Sequence, residues 1–352
     1  MLPDLRFAIP GDIETRTGGY IYDRRLMQEL RQVGWSIEHL RWAASFPFPT
    51  LTDIAAAAQS LAACADDSLI LIDGLAFGAL AELAESEGRR LRLVALVHHP
   101  LALESGLTAA MRDQLAQSER RALRMARAVI VNSKITAQAL FQDYGVRPEQ
   151  VTIAEPGTDP VQIAGTARKA RNPIPHLLSV GTVTPRKGHD LLVEALAGVV
   201  DLPWTCTIAG SLNRAPETAA DVQGRIAKHG LTKRIAMIGE VSDTTEFYAQ
   251  ADVFVLPSRH EGYGMAFAEA LRHGLPVIGS TAGAIPDVVP SSAGILVPSD
   301  DIAALAAALR QVISDPAKLR LLAAGACAAG ATLPGWAETA QRIAIALGRL
   351  RA

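Results

Sequence analysis

The sequence predicts an α/β fold with two Rossmann-like parallel-sheet domains facing a cleft. Three observations lead there. Short, continuous apolar runs alternate with longer helical stretches from the start of the chain. The alternation breaks between residues 155 and 175, then restarts. Strands that are apolar on both faces belong to parallel sheets covered on both sides by helices. The chain has 352 residues and is 49% hydrophobic, enough for two separate cores.

In chain order, Leu5 to Ile9 reads as a strand and Gly19 to Val33 as a helix. Leu69 to Ile72, Leu91 to Val97 and Val129 to Val131 read as buried strands, with helical stretches between them, including Thr108 to Arg127. Glu155-Pro-Gly-Thr-Asp-Pro160 interrupts the pattern, and Arg168 to Pro175 is charged and proline-rich, as a linker would be. His176 to Val180, Trp204 to Ala209, Ile235 to Ile238, Asp252 to Leu256 and Pro276 to Ile278 then read as strands. Trp336 to Leu350 reads as an amphipathic last helix.

The most informative stretch is Ser258-Arg-His-Glu-Gly-Tyr-Gly-Met-Ala-Phe-Ala-Glu269. A strand enters it through Pro257, and a helix from Met265 to His273 leaves it and stops at Gly274. Glycine-rich backbone and a helix N-terminus present N–H groups and positive potential to an anion. Glu261 and Glu269 stand eight positions apart, about 12 Å along a helix. They could hold polar groups on either side of a diphosphate. Alone, they would read as a helix-start acid and a solvated one. Gly181-Thr-Val-Thr-Pro-Arg186-Lys187-Gly188 follows another strand and opens another helix. It reads as a diphosphate clamp of loop N–H groups and two cations, rather than as a loop with ordinary surface charges.

These segments resemble the E-x7-E motif and its flanks in retaining glycosyltransferases of GT-B architecture, most closely glycosyltransferase family 4. Leu275-Pro-Val-Ile-Gly-Ser-Thr-Ala-Gly-Ala-Ile-Pro-Asp287 and Ser179 to Leu192 fit the same family, so the strong resemblance spans residues 176 to 298. Thr17-Gly18-Gly19 and His98-His99 match more weakly. The resemblance implies an acceptor-side domain over 1–165, a nucleotide-sugar domain over 172–335, and a helix over 336–352 crossing back to the first domain. It implies that Glu269 takes the ribose hydroxyls and Glu261 the donor-sugar hydroxyls. Backbone at Gly262, Tyr263 and Gly264 would face sugar and phosphate. Gly181, Arg186 and Lys187 would hold the leaving pyrophosphate, Val241 the base, and Gly18 and Gly19 the donor phosphates or the acceptor. His98 would position the sugar or acceptor. Asp73 and His99 are acceptor-side candidates. Asp73, at a strand end, could equally cap a helix at Phe77.

The implied reaction moves a sugar from a nucleotide-diphosphate sugar, UDP- or GDP- rather than ADP-linked, to a hydroxyl of a glycan, glycolipid or small molecule. Configuration would be retained. Two alternatives are a GT-B sugar-nucleotide epimerase, which needs acid–base groups around the sugar, and a nonenzymatic nucleotide-sugar binder. No G-x-G-x-x-G follows Leu5 to Ile9 or His176 to Val180, against a nicotinamide enzyme. No D-x-D occurs, so neither a metal nor a cofactor is expected, and side-chain cations would replace the metal.

Net charge is −2, with 16 basic and 20 acidic residues up to position 165, so no nucleic-acid partner is expected. Cys64, Cys206 and Cys327 form no C-x-x-C and read as small buried hydrophobes in a reducing compartment. Pro3 and Asp4 stand where a signal peptide would be basic or apolar, so a cytoplasmic location is expected. Arg120, Arg124 and Arg127 keep i, i+4, i+7 spacing beside Arg121. They read as a solvated face, or secondarily as a basic face for peripheral contact with anionic lipid or for a phosphate-bearing acceptor.

Overall fold

The computed structural model describes residues 4–104, 106–161 and 174–351. They divide into two compact units, Met1–Gly157 with Pro334–Ala352, and Thr158–Leu333. The expected linker lies mostly outside the described residues. Among the described ones, the first division falls at Gly157 and Thr158.

The first unit runs β1 (Leu5–Pro10), α1 (Gly18–Gln32), β2 (Ile37–Trp42), α2 (Leu51–Ala62), β3 (Leu69–Asp73), α3 (Gly74–Phe77), α4 (Ala81–Glu87), β4 (Arg92–Val97), α5 (Ala109–Leu123), β5 (Ala128–Val131), α6 (Lys134–Asp143) and β6 (Val151–Ile153). The sheet order is β2-β1-β3-β4-β5-β6, and every pair is parallel. β1, β3 and β4 carry the continuous apolar runs because helices cover both faces. The strand order changes direction between β1 and β3, where an open parallel sheet leaves a crevice at its carboxyl edge. α5 ends at Leu123, four residues before the expected end, as the chain turns into β5. Of the four stripe arginines, Arg124 and Arg127 lie beyond it and Arg120 and Arg121 within it. Both donate to protein acceptors, Arg120 to the Asp143 carbonyl and Arg121 to Glu85.

The second unit runs β7 (His176–Val180), α7 (His189–Ala197), β8 (Thr205–Ala209), α8 (Pro216–Lys228), β9 (Ile235–Gly239), α9 (Thr245–Gln250), β10 (Val253–Leu256), α10 (Met265–Arg272), β11 (Val277–Ser280), α11 (Ile285–Val288), β12 (Gly294–Val297), α12 (Ile302–Ser314) and α13 (Pro316–Thr332). The order is β12-β11-β10-β7-β8-β9, again all parallel, with its reversal between β7 and β10. Trp204, Leu192, Val222 and Leu309 anchor the core on one face, and Phe254, Phe267 and Tyr248 that on the other.

α14 (Trp336–Gly348) belongs to the first unit. Trp336 meets the edge of the Tyr22 ring at 5.7 Å and lies under the Arg25 guanidinium at 5.2 Å. Thr339 Oγ1 donates to the Glu155 carbonyl at 2.7 Å, and Arg92 donates to the carbonyl of Leu350. Cys64 and Cys206 are buried, but Cys327 is exposed on α13, against the expectation for all three. No described helix is long and apolar enough to cross a membrane.

α13 packs closely on α10 through glycine. A Cβ at Gly330 would stand 2.2 Å from the Leu271 carbonyl oxygen. Arg272, at the end of α10, donates to the carbonyls of Gly330 and Leu333 at 2.9 and 3.1 Å. Gly330→Ala is therefore expected to lose about 1–3 kcal/mol in urea unfolding, the usual cost of overpacking. Gly224→Ala, in α8 with nothing within 4 Å of the added carbon, is expected to gain about 0.4–1 kcal/mol. Equal effects at both positions would show that the α10–α13 approach constrains nothing.

Candidate functional site

In the second unit, the loops leaving β7 and β10 lie side by side, because those strands pair directly at the reversal. The β7 loop closes in a 3-10 turn at Pro185–Lys187 and passes through Gly188 with φ +69. Only glycine fits there, since a Cβ would lie 2.1 Å from the Pro257 carbonyl oxygen of the other loop. The Arg259 N–H donates to the Arg186 carbonyl at 2.7 Å. The Arg259 guanidinium forks onto Asp190 at 3.0 and 2.8 Å and reaches Asp300 at 2.7 Å. The two loops are thus joined through backbone and through a bidentate ion pair.

Glu261 sits at their junction, 5% exposed. Lys187 Nζ donates to its Oε1 at 2.7 Å, Ser258 Oγ to the same oxygen at 2.6 Å, and Arg186 Nη1 to Oε2 at 3.3 Å. Arg186 also donates to the His260 carbonyl at 2.8 Å. Burial would raise the Glu261 carboxyl, but the Lys187 and Arg186 charges beside it pull it down to about 2. Burial lowers Lys187, and Glu261 opposes that. The cluster holds two cations against one carboxylate, a net positive charge beside the N-terminus of α7. Behind it, the Ala284 N–H donates to the Glu261 carbonyl at 2.9 Å, and Ser280 Oγ donates to the Ser258 carbonyl.

Glu269 lies one turn into α10. Tyr248 Oη donates to its Oε2 at 2.9 Å, and the Tyr248 ring stacks on His273 at 5.0 Å. Burial pushes the Glu269 carboxyl up to about 7. Of the other expected residues, Gly181 lies under the Lys187 stem, where a Cβ would be 3.3 Å from Cε. Gly264 caps α10 with φ +100, and Gly262 is half-buried. The Tyr263 side chain packs in the core with Phe267, so only its backbone is available to a ligand. Val241 follows β9, at the sheet edge and two strands from β7.

In the first unit, the carboxyl ends of β3 and β4 and the start of α1 converge on His98. Its Nε2 lies 3.1 Å from Asp23 Oδ1 and 3.5 Å from Asp73 Oδ2. Gly19 faces the ring, since a Cβ there would be 3.3 Å from His98 Cδ2. Gly18 opens α1. Asp73 also caps α3, accepting from the Leu75 N–H at 2.9 Å, as the capping alternative expects. His99 pairs instead with Glu104 at 2.7 Å. Asp23, Asp73 and His98 each offer one ligand atom, all within 4.8 Å of one another, a donor set that folding alone assembles.

Sequence reasoning missed Asp23 and His189. Asp23 breaks the buried face Tyr22, Leu26, Met27, Leu30 of α1, a readable signal. His189, at the start of α7, is buried with neither ring nitrogen partnered among the described residues. Burial, helped by the Lys187 charge, pushes it down to about 4, so it adds no charge to the cluster.

Comparison with known proteins covers both units. Residues 22–162 match the model for Glycosyltransferase Family 4, and residues 174–315 that for Glycosyl transferases group 1. The lipopolysaccharide core biosynthesis mannosyltransferase LpsB of Rhizobium meliloti is 31% identical over 172 residues, 47% of this chain and 46% of that protein. D-inositol 3-phosphate glycosyltransferase 1 of Catenulispora acidiphila is 30% identical over 236 residues, 62% of this chain and 56% of its own. The chain spans about half the length of the curated relatives it matches. Sucrose-phosphate synthase from Thermosynechococcus elongatus superposes with a TM-score of 0.82 at 21% identity, covering 99% of this chain and 98% of that one. Anabaena HepE in complex with UDP and glucose gives 0.75 at 20%, covering 99% and 100%. At these identities the likeness is one of fold.

Removing one partner from a buried ion pair strands the other, at about 3–5 kcal/mol. Lys187→Met is expected to lose that much in urea unfolding at pH 7. Adding Glu261→Gln to it is expected to restore most of the loss. A double variant no more stable than Lys187→Met would mean the pair is not coupled.

Proposed function

The chain belongs to glycosyltransferase family 4, the glycosyl transferases group 1, and on that premise we propose that it moves a sugar from a nucleoside-diphosphate sugar to a hydroxyl acceptor. The observation that carries this reading is the net positive cluster of Arg186, Lys187 and Glu261 at the strand reversal of the second unit. Departure of a nucleoside diphosphate builds negative charge on its β-phosphate. Fixed cations and a helix N-terminus stabilise that charge more than the intact donor. Arg186 is the more exposed of the two cations and has N–H donors left for phosphate oxygens.

In this reading the transfer is retaining and needs no metal. Glu261 accepts from Lys187, Ser258 and Arg186, which makes it a poor covalent nucleophile. That supports departure and attack on one face of the sugar, with the leaving phosphate taking the acceptor proton. Glu269 accepts from the ribose hydroxyls, and His98 orients a sugar or acceptor hydroxyl. The HepE complexes with UDP and UDP-glucose support a UDP-linked donor here. A glycolipid acceptor would be met at a membrane surface, a smaller one in solution.

Titration with UDP, GDP and ADP, then product analysis with the matching sugars, tests the reading. Arg186→Ala and Lys187→Ala are each expected to weaken diphosphate binding by about 1.5–3 kcal/mol, the range for charge-assisted bonds. The product is expected to keep the donor's anomeric configuration, and EDTA to leave the rate unchanged. Inverted product, or loss of activity restored by a divalent ion, would overturn those parts.

The ribose contact has its own pH signature. Glu269 binds a diol as the carboxylate, but burial holds its free-state value up to about 7. Raised folded values favour the protonated form, so ionisation must accompany binding. UDP affinity is expected to rise by up to about tenfold from pH 6 to pH 8, with proton release near neutral pH. Calorimetry in buffers of different ionisation enthalpy reads that release, and Glu269→Gln is expected to abolish it. Release that persists in Glu269→Gln would assign the proton elsewhere.

A further inference from the structure

Asp23 occupies a position that an amphipathic helix normally gives to an apolar side chain. It is 1% exposed, on the face of α1 that also buries Tyr22, Leu26, Met27 and Leu30. A carboxylate in such a place is costly without a strong partner. Its partner is His98 Nε2, at 3.1 Å. Three residues of the same helix face box the ring in, at i, i+3 and i+4: Gly19, Tyr22 and Asp23. A Cβ at Gly19 would press on Cδ2 at 3.3 Å. The Tyr22 ring meets the imidazole edge-on at 5.2 Å and 79°. From α6, Thr136 Oγ1 donates to the His98 carbonyl at 3.4 Å. From β3, Asp73 Oδ2 approaches the same Nε2 at 3.5 Å.

These contacts fix the protons. Two carboxylates on one nitrogen cannot both ionise cheaply. Burial, and then the Asp23 charge, push Asp73 up to about 8, so it keeps its proton near neutral pH. The acceptor facing Nε2 is therefore Asp23, and an accepting carboxylate requires a hydrogen on Nε2. Burial lowers His98, but the charge and hydrogen bond of the neighbouring Asp23 work against it, and the imidazole stands above its ordinary value.

We propose that Asp23 is the positioning residue of the His98 site: it holds the Nε2 proton, fixes the ring in one tautomer and orientation, and leaves Nδ1 as the nitrogen that meets a sugar or acceptor hydroxyl. The catalytic consequence rests on the glycosyltransferase reading; the coupling of Asp23 to His98 does not.

The coupling is read by histidine 15N NMR on the full chain, with the His98 signal assigned by its loss in His98→Gln. Wild-type protein is expected to show Nε2 protonated and a midpoint above that of an ordinary imidazole. Asp23→Asn is expected to lower the midpoint by about one pH unit or more. An Nδ1–H tautomer in the wild type, or an unchanged midpoint in Asp23→Asn, overturns the proposal. The wild-type tautomer decides even if the variant does not fold. With the donor identified above, Asp23→Asn is expected to cut kcat by about tenfold to a hundredfold, as misorientation does, while donor KM moves less than twofold. The same substitution in a His98→Gln background is expected to add little. Full additivity would show that Asp23 acts apart from His98. Absence of transfer in the wild type, with the NMR result as expected, would sink the glycosyltransferase reading and leave the coupling standing.

Discussion

One buried carboxylate organises the second unit. Glu261 could not be desolvated alone, and the two cations that make its burial tolerable arrive from a loop 74 and 75 residues away in sequence. That requirement draws the β7 and β10 loops together. It also explains the supports around them: the Gly188 approach to Pro257, the Arg259 fork on Asp190, and the Ala284 bond to the Glu261 carbonyl. Burying a charge in this way adds little net stability. What it gives is definition, because the cations can point in only one direction while the carboxylate stays in place. The remaining positive charge then faces whatever anion approaches the helix N-terminus.

Much of this was legible in the sequence where one local rule dominates. Continuous apolar runs located β1, β3, β4, β7 and β10 to within a residue. The Gly-rich spacing around Glu261 and the Arg186-Lys187 pair located the loops that converge. Less legible were the elements whose environment is mixed. β2 is an edge strand, and its Ile-Glu-His-Leu-Arg-Trp sequence shows neither a buried run nor a clean alternation. β6 and β12 span only three and four residues. The first-unit site was half legible. His98 stands at the end of an apolar strand and announces itself, whereas Asp23 lies inside a helix whose polar residues look interchangeable until its buried face is known. Tyr263 shows another limit: nothing in the glycine-rich turn announces that its ring fills the core.

The two sites use opposite electrostatic solutions. In the second unit, excess cations surround a carboxylate and hold it ionised. In the first, two carboxylates crowd an imidazole, and one of them keeps its proton. The first arrangement suits an accumulating negative charge. The second suits orientation of neutral hydroxyls, since its net charge changes little when a polar, uncharged group approaches. His189, buried and neutral beside Lys187, keeps a third positive charge out of the first arrangement.

The return of α14 to the first unit has a consequence for synthesis. The second unit is continuous, Thr158–Leu333, whereas the first is made of segments from both sides of it. On a ribosome, every strand of the first sheet emerges early, but the Trp336 ring that covers Tyr22 emerges only after the whole second unit. The later-made unit can therefore complete its native packing first. The earlier one must wait, with the α1 surface that carries Tyr22 and Arg25 uncovered, until the last helix leaves the exit tunnel. Translation rate, rather than sequence order, then sets how long that surface stays open to wrong partners.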